Sequence, residues 1–205
     1  LTDFNYIIFE GIDGSGKSTQ AQRLGKVARQ ENITPIFLSE PTRGRFGLEV
    51  RGLMSAHEDV PIERQIELFT KDREEHVETK IKPLLDFMRD RDNFMIIQDR
   101  SYLSAPAYQG RSPKGMQSLL EMQRKIAPPP DIIFLIDVPV NVAIARLNER
   151  QNGKAIFENE SFLDEVRTRY LDLASSVDEN IVVIDGLGSE HEVSETIAKH
   201  LWPEQ

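Results

Sequence analysis

The 205-residue sequence contains no cysteine. That excludes disulfides and thiolate metal sites, and it fits a reducing compartment, so a cytoplasmic location is expected. No apolar run approaches the roughly 20 residues a membrane helix requires, and the N-terminus lacks a signal-peptide pattern. Basic residues are in deficit, 25 against 34 acidic ones, for a net charge of −9. Broad nucleic-acid or anionic-membrane binding needs a basic face, so neither is expected as a partner. Small phosphate ligands stay open, because a few Arg and Lys in a cleft suffice for them. His57, His76, His191 and His200 show no metal-ligand spacing and are expected at the surface. There is no internal repeat, low-complexity tract or linker. With 39% hydrophobic and 29% charged residues the chain can bury a real core, and residues 1–205 are expected to form one domain.

What is present begins with Gly11-Ile12-Asp13-Gly14-Ser15-Gly16-Lys17-Ser18, a complete G-x-x-x-x-G-K-[ST] phosphate loop. The apolar run Tyr6–Phe9 before it reads as a buried strand. Ala21, Leu24, Val27 and Ala28 after it fall at helical spacing. Strand, glycine loop and helix are the context the motif requires. The glycines let backbone N–H groups curl around phosphate, and the helix adds the positive end of its dipole. Lys17 is expected on the β- and γ-phosphates of a nucleoside triphosphate, and the Ser18 hydroxyl on Mg²⁺.

Further apolar runs at 35–38, 94–97, 132–136 and 181–184 read as strands, separated by helical stretches. The pattern predicts an α/β fold, a five-stranded parallel sheet with helices on both faces. Ligands in such sheets collect at the carboxyl ends of the strands, where Glu10, Glu40, Asp99 and Asp137 fall. Pro61 opens a long helix that Pro83 is expected to kink. Asn141 and Ser161 are candidate helix caps, with Phe162, Val166 and Tyr170 turned inward along the second helix. Tyr108-Gln109-Gly110 is expected in a loop or at a helix start. A helix over Met116–Met122 is stopped by Pro128–Pro130, and Ser189 begins the last helix. Asp72, Glu74, Glu75 and Glu78 read as a solvated acidic face.

A phosphate loop alone leaves the activity open. The chain lacks an N-K-x-D guanine reader, which speaks against a GTPase. Several stretches, in order, resemble the thymidylate kinase family: Phe9–Gln20 its opening, Glu40-Pro41 its E-P turn, and Leu68–His76 its L-F-x-A-D-R-x-x-H segment. Asp99-Arg100 with Tyr108-Gln109-Gly110 resembles its D-R-Y…A-Y-Q-G block. Phe157-Glu158 and Phe162 through Val166-Arg167 to Tyr170-Leu171 resemble the segment after its lid. The resemblance covers nearly the whole chain.

The resemblance implies a three-layer P-loop kinase fold with a short lid at about 148–158 and, typically, a homodimer. It implies transfer of the ATP γ-phosphoryl group to dTMP, giving dTDP, with dUMP as a second acceptor. ATP is assigned to Gly11, Asp13, Gly14, Ser15, Gly16, Lys17, Ser18, Thr19 and Arg146, and Mg²⁺ to Ser18 and Asp99. Catalysis is assigned to Lys17, Arg100, Asp99, Asp13 and a lid cation among Arg146, Arg150 and Lys154, with Arg150 taken forward. For the acceptor, Arg43, Arg51 and Arg100 are assigned to its phosphate, Phe69 to stacking on the base and Arg73 to a thymine carbonyl. Asp13 and Tyr108, with Gln109, are assigned to its sugar side, Tyr108 disfavouring a 2′-hydroxyl.

Gly14 stands after Asp13, a choice that in the family goes with a catalytic arginine in the lid. Ser101, Ala105 and Ala155-Ile156 depart from the family pattern, at the D-R-Y block, at a base-reading position and in the lid. Two other readings stand beside this one. A deoxynucleoside kinase would need Glu40 as base for a 5′-hydroxyl. A regulatory nucleotide-binding protein would need only the loop. Glu40 is expected to be structural, holding its turn or a nearby arginine.

Overall fold

The computed structural model describes residues 4–55, 60–150 and 160–203. Strands β1 (Tyr6–Glu10), β2 (Thr34–Ser39), β3 (Phe94–Asp99), β4 (Ile132–Asp137) and β5 (Ile181–Asp185) form one sheet, all parallel, in the order β2-β3-β1-β4-β5. Phe9 pairs with Asp99 and Ile7 with Ile132, so β1 lies between the two other most buried strands.

Alternation along each strand sends side chains to opposite faces. Ile7, Phe9, Ile97 and Phe134 meet helices α1 (Lys17–Gln30) and α9 (Glu190–Leu201) through Ala21, Leu24, Ala28, Val193, Ile197 and Leu201. Tyr6, Ile8, Ile96, Ile133 and Leu135 form a core with helices α4 (Lys82–Met88), α5 (Ser104–Gln109), α6 (Pro113–Arg124), α7 (Val140–Arg150) and α8 (Glu160–Ser176). Helix α2 (Arg45–Ser55) packs against α3 (Ile62–His76), and α3 against α5. The expected α/β sheet with helices on both faces is therefore present. Its edges are less covered than its centre: Phe37 of β2 and Val183 of β5 are exposed.

Several local expectations are corrected. The bend before Pro83 is a π-helical turn, Val77–Ile81, set between α3 and α4. A proline has no N–H to give and its ring crowds the carbonyl four residues back, and one wide turn absorbs both. Asn141 is no cap. Helix α7 starts earlier, with the Pro139 carbonyl accepting from the Val142 and Ala143 N–H groups at 3.0 and 3.1 Å. Ser161 lies inside the first turn of α8, which is already helical at Glu160. Tyr108 and Gln109 end helix α5, rather than start one, and the Gly110 N–H returns to Pro106. Helix α6 stops at Arg124, ahead of the triple proline. Ser189 is the cap of α9, in a reciprocal capping box with Glu192.

Of the expected lid at 148–158, residues 148–150 are the last turn of α7. Lys154, Ala155, Ile156, Phe157 and Glu158 lie outside the described residues, as does His57. From β1 the sheet continues to β3 on one side and β4 on the other. The crevice where chain connections part in opposite directions lies at the carboxyl end of β1, and the phosphate loop begins there.

Candidate active site

The loop from Gly11 to Gly16 wraps the carboxyl end of β1, and α1 starts at Lys17. Gly14 has φ +83°, and a Cβ there would stand 2.3 Å from the Ala143 carbonyl oxygen of α7. No larger residue fits without moving that helix, which explains in packing terms why Gly and not Arg follows Asp13. The Lys17 ammonium is buried and donates to the Ile12 carbonyl at 2.9 Å, with Asp13 Oδ1 3.9 Å away. Burial and the Arg100 charge lower its pKa to about 8, against the pull of Asp13, Asp99 and Glu10.

Ser18 Oγ donates to Asp99 Oδ2, joining the loop helix to the end of β3 across 81 residues of sequence. Asp99 Oδ1 and Ser15 Oγ are buried without a hydrogen-bond partner. A hydroxyl and a carboxylate with acceptor capacity to spare, beside a phosphate loop, fit the shell of a hard divalent cation such as Mg²⁺. Such a cation takes few protein ligands and the rest from phosphate and water. No cluster of three or more His, Asp or Glu able to hold a metal occurs among the described residues.

Two cavities flank the loop. The first, about 310 Å³, is lined by Asp13 and Arg100 on the loop side and by Phe69, Arg73, Tyr108 and Gln109. Its walls are otherwise mostly apolar, with Pro41, Val50, Leu53 and Leu68. The second, about 350 Å³, is lined by Ser15, Gly16 and Thr19 of the loop with Arg146 and Arg150 of α7. Arg146 donates to the Ser15 and Gly186 carbonyls at 3.1 and 2.8 Å, and Arg150 to Thr19 Oγ1 at 3.3 Å.

Arg100 follows Asp99 with φ +67°, a left-handed conformation that a non-glycine residue adopts at a cost of about 1–3 kcal/mol and that clusters at functional sites. Its guanidinium donates to Asp13 Oδ1 at 2.7 Å and to the Tyr108 hydroxyl at 2.8 Å, and it lies over the Tyr108 ring at 4.9 Å. Tyr108 in turn donates to Asp13 Oδ2 at 3.2 Å. Burial tends to raise the Asp13 pKa, but Arg100, Lys17 and Tyr108 together hold it well below the usual carboxylate range.

Helix α3 presents Gln65, Phe69 and Arg73 to the first cavity, four residues apart along one face. Arg73 is fully buried. Its Nε meets Glu40 Oε2 at 2.8 Å, one terminal nitrogen the Gln123 carbonyl oxygen at 2.5 Å, and the other the Ser101 carbonyl at 2.9 Å. That second nitrogen is also 2.6 Å from Glu40 Oε2. A guanidinium has five N–H donors, and the three hydrogen bonds use one on each nitrogen. The nitrogen that faces Gln123 keeps a second N–H that these contacts do not use.

Glu40 is held as a structural carboxylate, with His76 Nδ1 at 3.0 Å from its other oxygen. Burial would raise its pKa, but Arg73 and His76 lower it on balance. Glu40 is not among the residues lining the cavity.

Two expectations about polar surface fail here. His76 is buried on Glu40, not at the surface. Asp72 is buried too, and accepts from the Thr42 N–H at 2.7 Å and the Thr42 hydroxyl at 2.5 Å. Both lie on the inner face of α3, which carries polar side chains because the turn after β2 packs there. Phe162, expected inward, is 40% exposed and forms part of the cavity wall, edge-on to Tyr108. The structure does not bring Arg43 or Arg51 into either cavity. Arg43 is exposed, and Arg51 donates to the Pro41 and Thr42 carbonyls. Arg150 stands with Thr19 in the second cavity, apart from the Asp13–Arg100 group.

Sequence reasoning missed Gln65, Ser104, Gln123 and Tyr170 around the site. The i−4 position to Phe69 pointed to Gln65. Nothing local marked Ser104 or Gln123, and Tyr170 read only as an inward-facing helix position; all three reach the site through tertiary packing.

A phosphate loop between two cavities, with a buried lysine and a strand-end aspartate on its hydroxyl, defines a P-loop nucleotide phosphotransferase. The sequence model of the family described as thymidylate kinase matches residues 9–197. The chain belongs to the thymidylate kinase family, whose members are ATP-dependent nucleoside monophosphate kinases. It is similar to the probable thymidylate kinase of Archaeoglobus fulgidus, at 34% identity over 94% of this chain and 92% of that one. It is 34% identical to the thymidylate kinase of Akkermansia muciniphila, over 95% and 90% of the two chains. With the thymidylate kinase of Dinoroseobacter shibae it shares 35% identity over 95% of each.

Proposed function

We propose that the protein transfers the γ-phosphoryl group of ATP to dTMP, giving dTDP, with the triphosphate entering over the second cavity and dTMP filling the first. The observation that carries this is the placement of the loop between the two cavities, with Asp13 and Arg100 on one side and Thr19, Arg146 and Arg150 on the other. The acceptor phosphate is already anionic near neutral pH, so the reaction needs alignment and charge neutralisation rather than a strong base. Lys17 and Arg100 supply that charge from fixed positions, which costs no reorganisation as charge develops. Ser18 and Asp99 would hold Mg²⁺, which would supply charge neutralisation for the transferring phosphoryl group.

Phe69 is assigned to the base as a stacking platform. The remaining N–H of Arg73 is assigned to a carbonyl oxygen of thymine, and uracil in dUMP offers the same atom. Tyr108 is assigned to the sugar, next to Asp13. Arg43 and Arg51, which line neither cavity, are not assigned to the acceptor phosphate here, and Arg100 is kept. A lid cation, Arg150 in this proposal, completes the neutralisation.

The deoxynucleoside kinase alternative requires a free carboxylate facing the acceptor. Glu40 is instead committed to Arg73 and His76, and this favours the monophosphate. No helix among the described residues is long and apolar enough to cross a membrane. A single domain over 1–205, a cytoplasmic location and a homodimer complete the proposal, the last resting on resemblance and checked by light scattering. The test of function is a turnover assay with ATP and Mg²⁺ against a panel of nucleosides and nucleoside monophosphates, with and without chelator. dTDP formation that requires Mg²⁺ is the expected result. Turnover of a nucleoside with none of dTMP would overturn the proposal.

A further inference from the structure

Glu10, at the end of β1, is fully buried beneath the phosphate loop. Its Oε1 accepts from the Ser101 N–H at 2.8 Å. Its Oε2 accepts from two hydroxyls, Ser104 of α5 and Tyr170 of α8, each at 2.8 Å. Both hydroxyl oxygens also receive one terminal nitrogen of Arg100, at 3.3 Å each. A hydroxyl has one proton. With that proton given to the carboxylate, its lone pairs are left for the guanidinium. The other terminal nitrogen of Arg100 is held by Asp13 and Tyr108. The guanidinium is thus fixed at both ends of its fork. One end is tied directly to a carboxylate, the other through two hydroxyls to a carboxylate that does not touch it.

We infer that Tyr170, together with Glu10 and Ser104, is a positioning group that fixes the orientation of Arg100 for phosphoryl transfer. Tyr170 touches neither nucleotide site directly, being absent from the lining of both cavities, and acts through Arg100. The direction of the hydrogen bonds matters. In Glu10→Gln the amide group takes up the hydroxyl lone pairs, the hydroxyl protons turn toward Arg100, and donor faces donor. Burial raises the Glu10 pKa on balance, and Arg100, the Ser104 and Tyr170 hydroxyls and the Ser101 N–H oppose that rise.

The kinetic arm of the test rests on the proposed phosphoryl transfer; the spectroscopic arm does not. Tyr170→Phe keeps the ring and its edge contact with Tyr108 while removing the hydroxyl. It should lower kcat about tenfold or more, the usual worth of a hydrogen bond to a charged group, with KM for ATP unchanged. Combined with Glu10→Gln, or with Ser104→Ala should Glu10→Gln not fold, the losses should fall well short of multiplying, because the variants break one relay. Without any nucleotide, ¹⁵N–¹H spectra of the Arg100 guanidinium should show separate, slowly rotating terminal nitrogens in the wild type and merged ones in Tyr170→Phe. Merged signals with wild-type inactivity toward dTMP would leave the relay standing and remove the proposed function. Unchanged Arg100 signals, or a kcat within about twofold of wild type alongside a lowered Tm, would reduce Tyr170 to a packing residue and overturn the inference.

Discussion

Glu40 and Arg73 form an ion pair at 2.6 Å with 4% and 2% of their side chains exposed. The pair joins the end of β2 to the inner face of α3 and fixes the guanidinium at the wall of the first cavity. Removing one partner of a buried pair leaves an uncompensated charge and typically costs about 3–5 kcal/mol. Glu40→Gln should therefore lower the melting temperature and raise KM for dTMP, without removing a limb of the pH–rate profile. Loss of the acidic limb would instead mark Glu40 as a general base, since a base must be deprotonated to act. Because the folded pKa of Glu40 is depressed, its contribution to stability is fully present above the unfolded carboxyl value of about 4.3 and is lost as pH falls through the lower folded value. Urea titrations at a series of pH values should show this loss in wild type and not in Glu40→Gln.

Lys17 gives a second pH signature. The Lys17 pKa is lowered to about 8, and a polyphosphate beside it would raise it. Between about pH 8 and the normal lysine value of ~10.4, ATP binding should take up protons through Lys17 and weaken as pH rises; near pH ~7, where Lys17 is charged throughout, it should contribute neither effect. Calorimetry in buffers of different ionisation enthalpy measures the uptake directly. Lys17→Ala should abolish the uptake and cost at least ~10²-fold in turnover, as removal of one preorganised charge does.

Much of this was legible in the chain. The phosphate loop, the strand endings and the alternation of apolar runs with helices gave the sheet and the site's location, because those signals are local. Polarity misled where burial is tertiary. His76 and Asp72 look like surface residues in a charged stretch, and only the packing of the 40–44 turn against α3 encloses them. Arg51 looks like a phosphate ligand and caps carbonyls of that same turn. Tyr170 reads as an inward-facing helix position but not as a site residue, since its partners come from β1, the turn after β3 and α5.

Gly14 is a packing constraint as well as a phosphate-loop glycine. Its positive φ and the 2.3 Å approach of Ala143 O to a built Cβ leave no room for a methyl group. Gly14→Ala should displace α7 or distort the loop, at a cost of about 1–3 kcal/mol for the backbone strain alone. Its ATP affinity should fall, as read by calorimetry. Wild-type affinity would show that the loop tolerates a side chain there.

Arg73 is a donor only, and in its proposed role the N–H that its protein contacts leave unused reads the base. It suits the O4 of thymine or uracil and opposes the amino group of cytosine. A buried donor facing a donor costs roughly 1–3 kcal/mol, or about 5- to 150-fold in discrimination. Arg73→Ala should raise KM for dTMP and narrow its advantage over dCMP. Ala105, whose side chain offers no hydrogen bond, lines the same cavity and should soften the wild-type preference. An unchanged dTMP-to-dCMP ratio in Arg73→Ala would remove the base-reading role.

The most direct test of the account is kcat/KM of the wild-type protein for dTMP and for thymidine, with ATP and Mg²⁺ saturating. A large excess for dTMP, with dTDP as product and little or no dTMP formed from thymidine, is the result the account predicts. Efficient phosphorylation of thymidine, collapsing by ~10²-fold or more in Glu40→Gln, would contradict it.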